Sequence, residues 1–97
     1  MEENNQRLHV IIKGIVQGVG FRFFVLSLGK EKNLRGWVRN LYNGNVEVLA
    51  EGPREELEDL LEKLKTGPPS AQVIDTEIQW DVFKGDLPPF TVLPTGY

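Results

Sequence analysis

Two glycines one residue apart stand just ahead of an aromatic and an arginine in the stretch Val16-Gln17-Gly18-Val19-Gly20-Phe21-Arg22. Glycine takes positive φ at little cost, so a turn rich in it can curl its backbone inward. Successive N–H groups then converge on one point and form a nest for an anion. A helix starting after such a turn adds uncapped N–H groups and the positive end of its dipole. Arg22 would sit in the first turn of that helix, where its planar guanidinium can hold two phosphate oxygens at once. The chemistry suggested is oxyanion binding, with phosphate the first candidate. The same pattern also serves as a plain tight turn between a strand and a helix.

Familiar nucleotide loops do not fit. No Gly-Lys-Ser/Thr follows, as a Walker A loop needs, and Phe23 occupies the third glycine position of a dinucleotide fingerprint starting at Gly18. The run Gly18 to Phe24 echoes the glycine/aromatic motif of RNA-recognition domains. In those the aromatics alternate along a central strand; here they open a helix. A second polar residue, Asn40, falls near the end of a later strand. Its amide offers a donor and an acceptor, suited to orienting a water beside an anion nest. Asn40 can also be read as a residue flanking the turn at Asn43-Gly44. Other chemistries have little support. The single histidine, His9, lies in a strand without a Ser or Cys partner, and triads need three converging groups. Carboxylates are scattered and no His-x-x-x-His or Asp-x-Asp loop occurs, so neither metal nor cofactor is expected.

The elements that must position these residues can be read from periodicity. Residues 1–6 form a polar tail, expected to be flexible, and residues 7–97 one domain. Arg7 to Ile15 reads as a strand with Leu8, Val10 and Ile12 on its core face. A helix over about Phe21 to Lys32 follows, with Phe21, Phe24, Val25 and Leu28 facing the sheet. Gly29 is costly inside it and implies close approach to the sheet. Asn33 suits the left-handed position after the helix. Leu34 to Leu41 and Val46 to Glu51 make a hairpin around Asn43-Gly44. Gly52-Pro53 opens a second helix with Pro53 at its first position, carrying Leu57, Leu60, Leu61 and Leu64 inward, and Thr66 to Ser70 ends it. Ala71 to Phe83 is a long strand and Phe90 to Leu93 a short edge strand. The order βαββαβ, plus a fifth strand, predicts an α+β fold: the ferredoxin-like split-βαβ sandwich, one mostly antiparallel sheet with two helices on one face.

With 97 residues, 40% hydrophobic and 26% charged, the chain has the make-up of one small globular domain. Its net charge of −3 gives no general electrostatic help toward nucleic acid. No run of 18 apolar residues predicts a membrane span. The polar, acidic start does not resemble a signal peptide, and the sequence has no cysteine, so a cytoplasmic protein is expected.

Taken together, Val16-Gln17-Gly18-Val19-Gly20-Phe21-Arg22 and Gly36-Trp37-Val38-Arg39-Asn40 resemble the paired signature of the acylphosphatase family. The spacing of the two blocks, Gly44 in the hairpin, Gly67-Pro68-Pro69 and Phe90-x-Val92 agree with it. The departures are Asn33, where glycine is often found, and Phe23, where tyrosine is frequent. The resemblance spans nearly all of the chain beyond the tail. It implies a small metal-independent hydrolase that cleaves the carboxyl–phosphate bond of acyl phosphates, releasing carboxylate and inorganic phosphate. It further implies a phosphate cradle from the backbone N–H groups of Gln17, Gly18, Val19, Gly20, Phe21 and Arg22, with Arg22 and Asn40 catalytic. Arg22 would bind the phosphoryl oxygens and Asn40 would orient the attacking water. A cytoplasmic monomer acting on a small molecule is expected, without nucleic acid or membrane. Two alternatives stay open: an acylphosphatase-like module of a carbamoyl-transfer maturation protein, and a non-catalytic phosphate-binding module. An end at Tyr97 without a zinc-motif extension favours the free-standing enzyme.

Overall fold

The computed structural model describes residues 4–97. Strand β1 (Asn5–Ile15) leads through a short loop into helix α1 (Phe21–Glu31). Then come β2 (Arg35–Asn40), β3 (Val46–Pro53), helix α2 (Arg54–Thr66), β4 (Gln72–Val82) and β5 (Thr91–Val92). The sheet order is β4-β1-β3-β2-β5. All neighbours are antiparallel except β2 and β5, which run parallel. The α+β sandwich expected from the element order is therefore present, and β2, the strand bearing Asn40, lies one strand away from β1.

Period-two alternation decides which face of the sheet is covered. Leu8, Val10 and Ile12 of β1 are fully buried, opposite Ala50, Val48 and Val46 of β3. Both helices pack on this face: Phe21, Val25 and Leu28 of α1 and Leu57, Leu60, Leu61 and Leu64 of α2 join the same core cluster. Each buried leucine contributes roughly 1.5–3 kcal/mol of gross transfer free energy, so the four of α2 hold that helix down despite its charged outer face. The loop before α1 is thus suspended between a central strand and a helix anchored in the core.

Several boundaries differ from expectation. Of the tail anticipated over residues 1–6, residues 1–3 lie outside the described residues, and Asn5 and Gln6 already pair with Pro53 and Gly52. Pro53 is the N-cap of α2, not its first helical residue, because its place in the β1–β3 ladder holds ψ extended at 139°. Asn33 takes φ 56°, just beyond the α1 C-cap, as its side chain permits. Gly29 approaches not the sheet backbone but the ring of Phe90, the residue before β5.

Candidate active site

The link between β1 and α1 is built by backbone dihedrals. Gly18 and Gly20 take φ of 75° and 79°. A Cβ added at either would touch nothing within 4 Å, so what demands glycine there is the left-handed conformation and not space. Gly20 is also the N-cap of α1, with no side-chain cap. The first helical bond runs from Phe24 N–H to the Gly20 carbonyl at 3.0 Å. The N–H groups of Phe21, Arg22 and Phe23 precede it and keep no helical acceptor. Their partial positive charge faces a cavity of about 170 Å³ lined by Val16, Gly18, Gly20, Phe21, Arg22, Phe23 and Asn40.

Two side chains give that cavity its chemistry. Arg22 is exposed, and among the described residues it has no carboxylate within ion-pair distance. No carboxylate lines the cavity either, so the guanidinium is available to an incoming anion. Asn40 closes the far side from the end of β2. Its Oδ1 is buried and makes no hydrogen bond with the described residues. An unpaired buried acceptor costs about 1–3 kcal/mol, and such a group in a folded protein calls for an explanation.

The supports of the cradle are less visible in sequence. The Gln17 amide Nε2 donates to the carbonyls of Leu41 at 2.7 Å and Asn45 at 2.8 Å. It straps the loop to the hairpin that follows Asn40. Ser70 Oγ donates to the Val19 carbonyl at 2.8 Å and braces the loop from the α2–β4 side. Neither Gln17 nor Val19 lines the cavity, whereas Val16 and Phe23, not singled out as site residues in sequence, do. The Asn40 carbonyl accepts the Gly96 N–H at 3.0 Å, and the Gly96 carbonyl accepts the Tyr42 N–H at 2.9 Å. The C-terminal segment thereby pins the strand end that carries Asn40. No local motif marks these bonds, since they join residues 24 to 56 positions apart. His9 lies elsewhere: its Nε2 is 2.7 Å from Glu47, which also accepts from Arg39 Nε at 2.7 Å. Burial alone would raise the Glu47 pKa, but His9 and Arg39 outweigh it and hold the carboxyl below its usual range. Among the described residues, no group of three His, Cys, Asp or Glu side chains is placed to hold a metal ion.

The model of the family described as Acylphosphatase matches residues 8–92, a span that contains both the loop and Asn40. The chain belongs to the acylphosphatase family. It is 45% identical over 80 residues to an acylphosphatase of Moorella thermoacetica, covering 82% of this chain and 86% of that one. In structure it is similar to the acylphosphatase of Bacillus subtilis, with TM-score 0.87 and 36% identity, over 91% of this chain and 98% of that one. It is also similar to a part of full-length HypF in its phosphate- and nucleotide-bound form. That match has TM-score 0.84 and 29% identity, over 95% of this chain and 12% of HypF. Membership of this family, with relatives named acylphosphatase along most of the chain, supports acylphosphatase activity, the hydrolysis of an acyl phosphate to carboxylate and phosphate.

Proposed function

We propose that the phosphoryl group of an acyl phosphate binds in the cradle between Gly18 and Arg22, and that Asn40 presents the water that attacks it. One observation carries this reading: Asn40, whose buried Oδ1 has no hydrogen-bond partner among the described residues, lines the same small cavity as Arg22 and the uncapped start of α1. Three N–H groups and a guanidinium supply positive charge where the equatorial phosphoryl oxygens develop negative charge. Asn40 Oδ1 accepts one O–H of the water and leaves an oxygen lone pair directed at phosphorus. The new P–O bond forms as the bond to the acyl oxygen breaks, and the carboxylate departs with that electron pair. The proton released by the water passes to an oxygen of the transferred phosphoryl group. An acyl carboxylate is a good leaving group, so position and charge stabilisation suffice without a protein general base.

The reading extends to a free-standing, metal-independent, monomeric enzyme of the cytoplasm that uses neither nucleic acid nor membrane. Coverage of 86% of the Moorella relative and 98% of the Bacillus chain favours it over a module of a larger machine. The test is turnover of benzoyl phosphate with and without EDTA, and with inorganic phosphate as competitor. Turnover that survives chelation and is competitively inhibited by phosphate is the expected result. Absence of turnover would leave a phosphate-binding module, and loss on chelation restored by a divalent ion would remove the metal-free mechanism.

A further inference from the structure

We propose that the cleft beside the cradle seats the acyl part of the substrate, and that Lys30 selects acyl groups bearing a second anionic group. The inference rests on the cradle being the phosphoryl site. The cleft has a volume of about 410 Å³, within the size range of small-molecule sites. It adjoins the cradle, because Arg22 and Phe23 line both. Its walls are apolar: Phe23 and Leu26 from α1, with Phe90 and Val92 from the segment around β5. A phosphoryl group held at the start of α1 therefore directs the acyl carbon skeleton along the helix. The 74% exposed ring of Phe23 forms the lip between the two compartments. Burial against an acyl body gives this exposed aromatic a function.

Lys30 marks the other end. It lies eight positions along α1 from Arg22, about 12 Å between Cα atoms. A lysine side chain leans back toward the helix N-terminus and into that span. Of the six lysines in the sequence, Lys13, Lys32, Lys63, Lys65 and Lys84 each have a carboxylate within 4.0 Å. Lys30 alone has none among the described residues, and no carboxylate lines the cleft. In a chain of net charge −3, an apolar cleft with a cation at each end and no acid is a local exception. It complements a molecule with an anion at each end and an apolar body between them: a dicarboxylic acid phosphorylated on one carboxyl group.

The test compares 4-carboxybenzoyl phosphate with benzoyl phosphate as substrates of the parent, Lys30→Met, Lys30→Glu and Lys63→Met proteins. The readout is the ratio of their kcat/KM values. The parent ratio is expected to lie above one, at roughly 1.4 to 5, the range of an exposed ion pair, and to shrink in 0.5 M NaCl. Lys30→Met should abolish the preference and Lys30→Glu should invert it, with Lys63→Met keeping the parent ratio. A parent without preference, or equal ratios in all four proteins, overturns the inference. An equal fall in Lys63→Met does so too, because net charge and not Lys30 would then be responsible. Inhibition by inorganic phosphate is read in the same samples. If phosphate does not compete in the parent, the cradle reading itself fails, a result distinct from loss of selectivity at Lys30.

Discussion

Arg22 and Asn40 face one cavity but should serve it differently. Arg22 would contact phosphoryl oxygens in the ground state and in the transition state alike. Arg22→Gln is therefore expected to weaken phosphate binding and turnover together, each lost charge-assisted bond costing roughly 1.5–3 kcal/mol. Asn40 would contact the water and not the bound phosphate. Asn40→Ala should lower kcat by about 10²-fold or more while the inhibition constant of phosphate moves little. The pair of measurements is kcat and that inhibition constant, with circular dichroism as the folding control. Near-normal kcat in Asn40→Ala would remove its water-orienting role, and a loss of phosphate affinity matching that of Arg22→Gln would place Asn40 in the anion cradle instead. Gln17 shows what residue identity alone hides. Its backbone N–H is the part that the family resemblance places in the phosphate cradle, while its side chain holds the carbonyls of Leu41 and Asn45.

Helix α1 carries three tasks in 11 residues: an uncapped start for the phosphoryl group, a core face, and the wall of the acyl cleft. Gly29 is where the last two meet. A Cβ at that position would lie 2.5 Å from Cδ2 of Phe90, a ring only 4% exposed that walls the acyl cleft. Gly29→Ala gains about 1 kcal/mol of helix propensity but overpacks a filled site, which typically costs 1–3 kcal/mol. The net expectation is a loss of up to about 2 kcal/mol, read as a lower urea midpoint at constant m-value. A higher midpoint would show that Phe90 can shift at no cost. The sequence signalled that something approaches Gly29, since glycine inside a helix is otherwise a defect. It did not identify Phe90, 61 positions away, because that contact exists only once β5 lies parallel to β2.

Across the molecule, Glu47, Glu51 and Asp59 are all held below the usual carboxylate range, and Glu51 is the most buried of the three. This carboxylate is 1% exposed, accepts from Arg7 Nε at 2.8 Å, and accepts the N–H groups of Lys84 at 2.8 Å and Gly85 at 3.0 Å. Burial alone would raise its pKa; the two N–H groups and the Arg7 guanidinium outweigh that and hold it below the usual range. A depressed folded pKa means that the unfolded chain binds the proton first as pH falls. The stabilisation is complete above the ordinary glutamate pKa and is lost as pH drops through the lowered folded value. Thermal unfolding followed from pH 7 to pH 3 should show a Tm that holds to about pH 5 and then falls. Glu51→Gln should lower Tm at pH 7 and flatten the acid limb. A parallel curve for the variant would assign the acid transition to other groups, Glu47 first among them.

Local physics determined much of this protein from sequence alone. Alternating apolar residues in β1, the leucine stripe of α2, the Asn43-Gly44 turn and the Gly18/Gly20 loop each act within a few residues. Each specifies its element whatever the rest of the chain does. Arg22 belongs to this class, because its place in the first turn of a helix follows from the glycines before it. Tertiary structure decided what depends on distant partners. Asn40 reads in sequence as either a turn-flanking residue or an orienter of water. It comes to line the cavity with Arg22 only because β3 pairs between β1 and β2 and sets the end of β2 against the loop. The Gln17 strap, the Ser70 brace and the Gly96 latch on Asn40 join segments that meet only in the folded sheet. The cleft that ends at Lys30 has the same origin, with one wall on α1 and the other around β5. Periodicity reports which face of an element is buried; it carries no information on which distant residue arrives to cover that face, and in this protein those arrivals assemble the site.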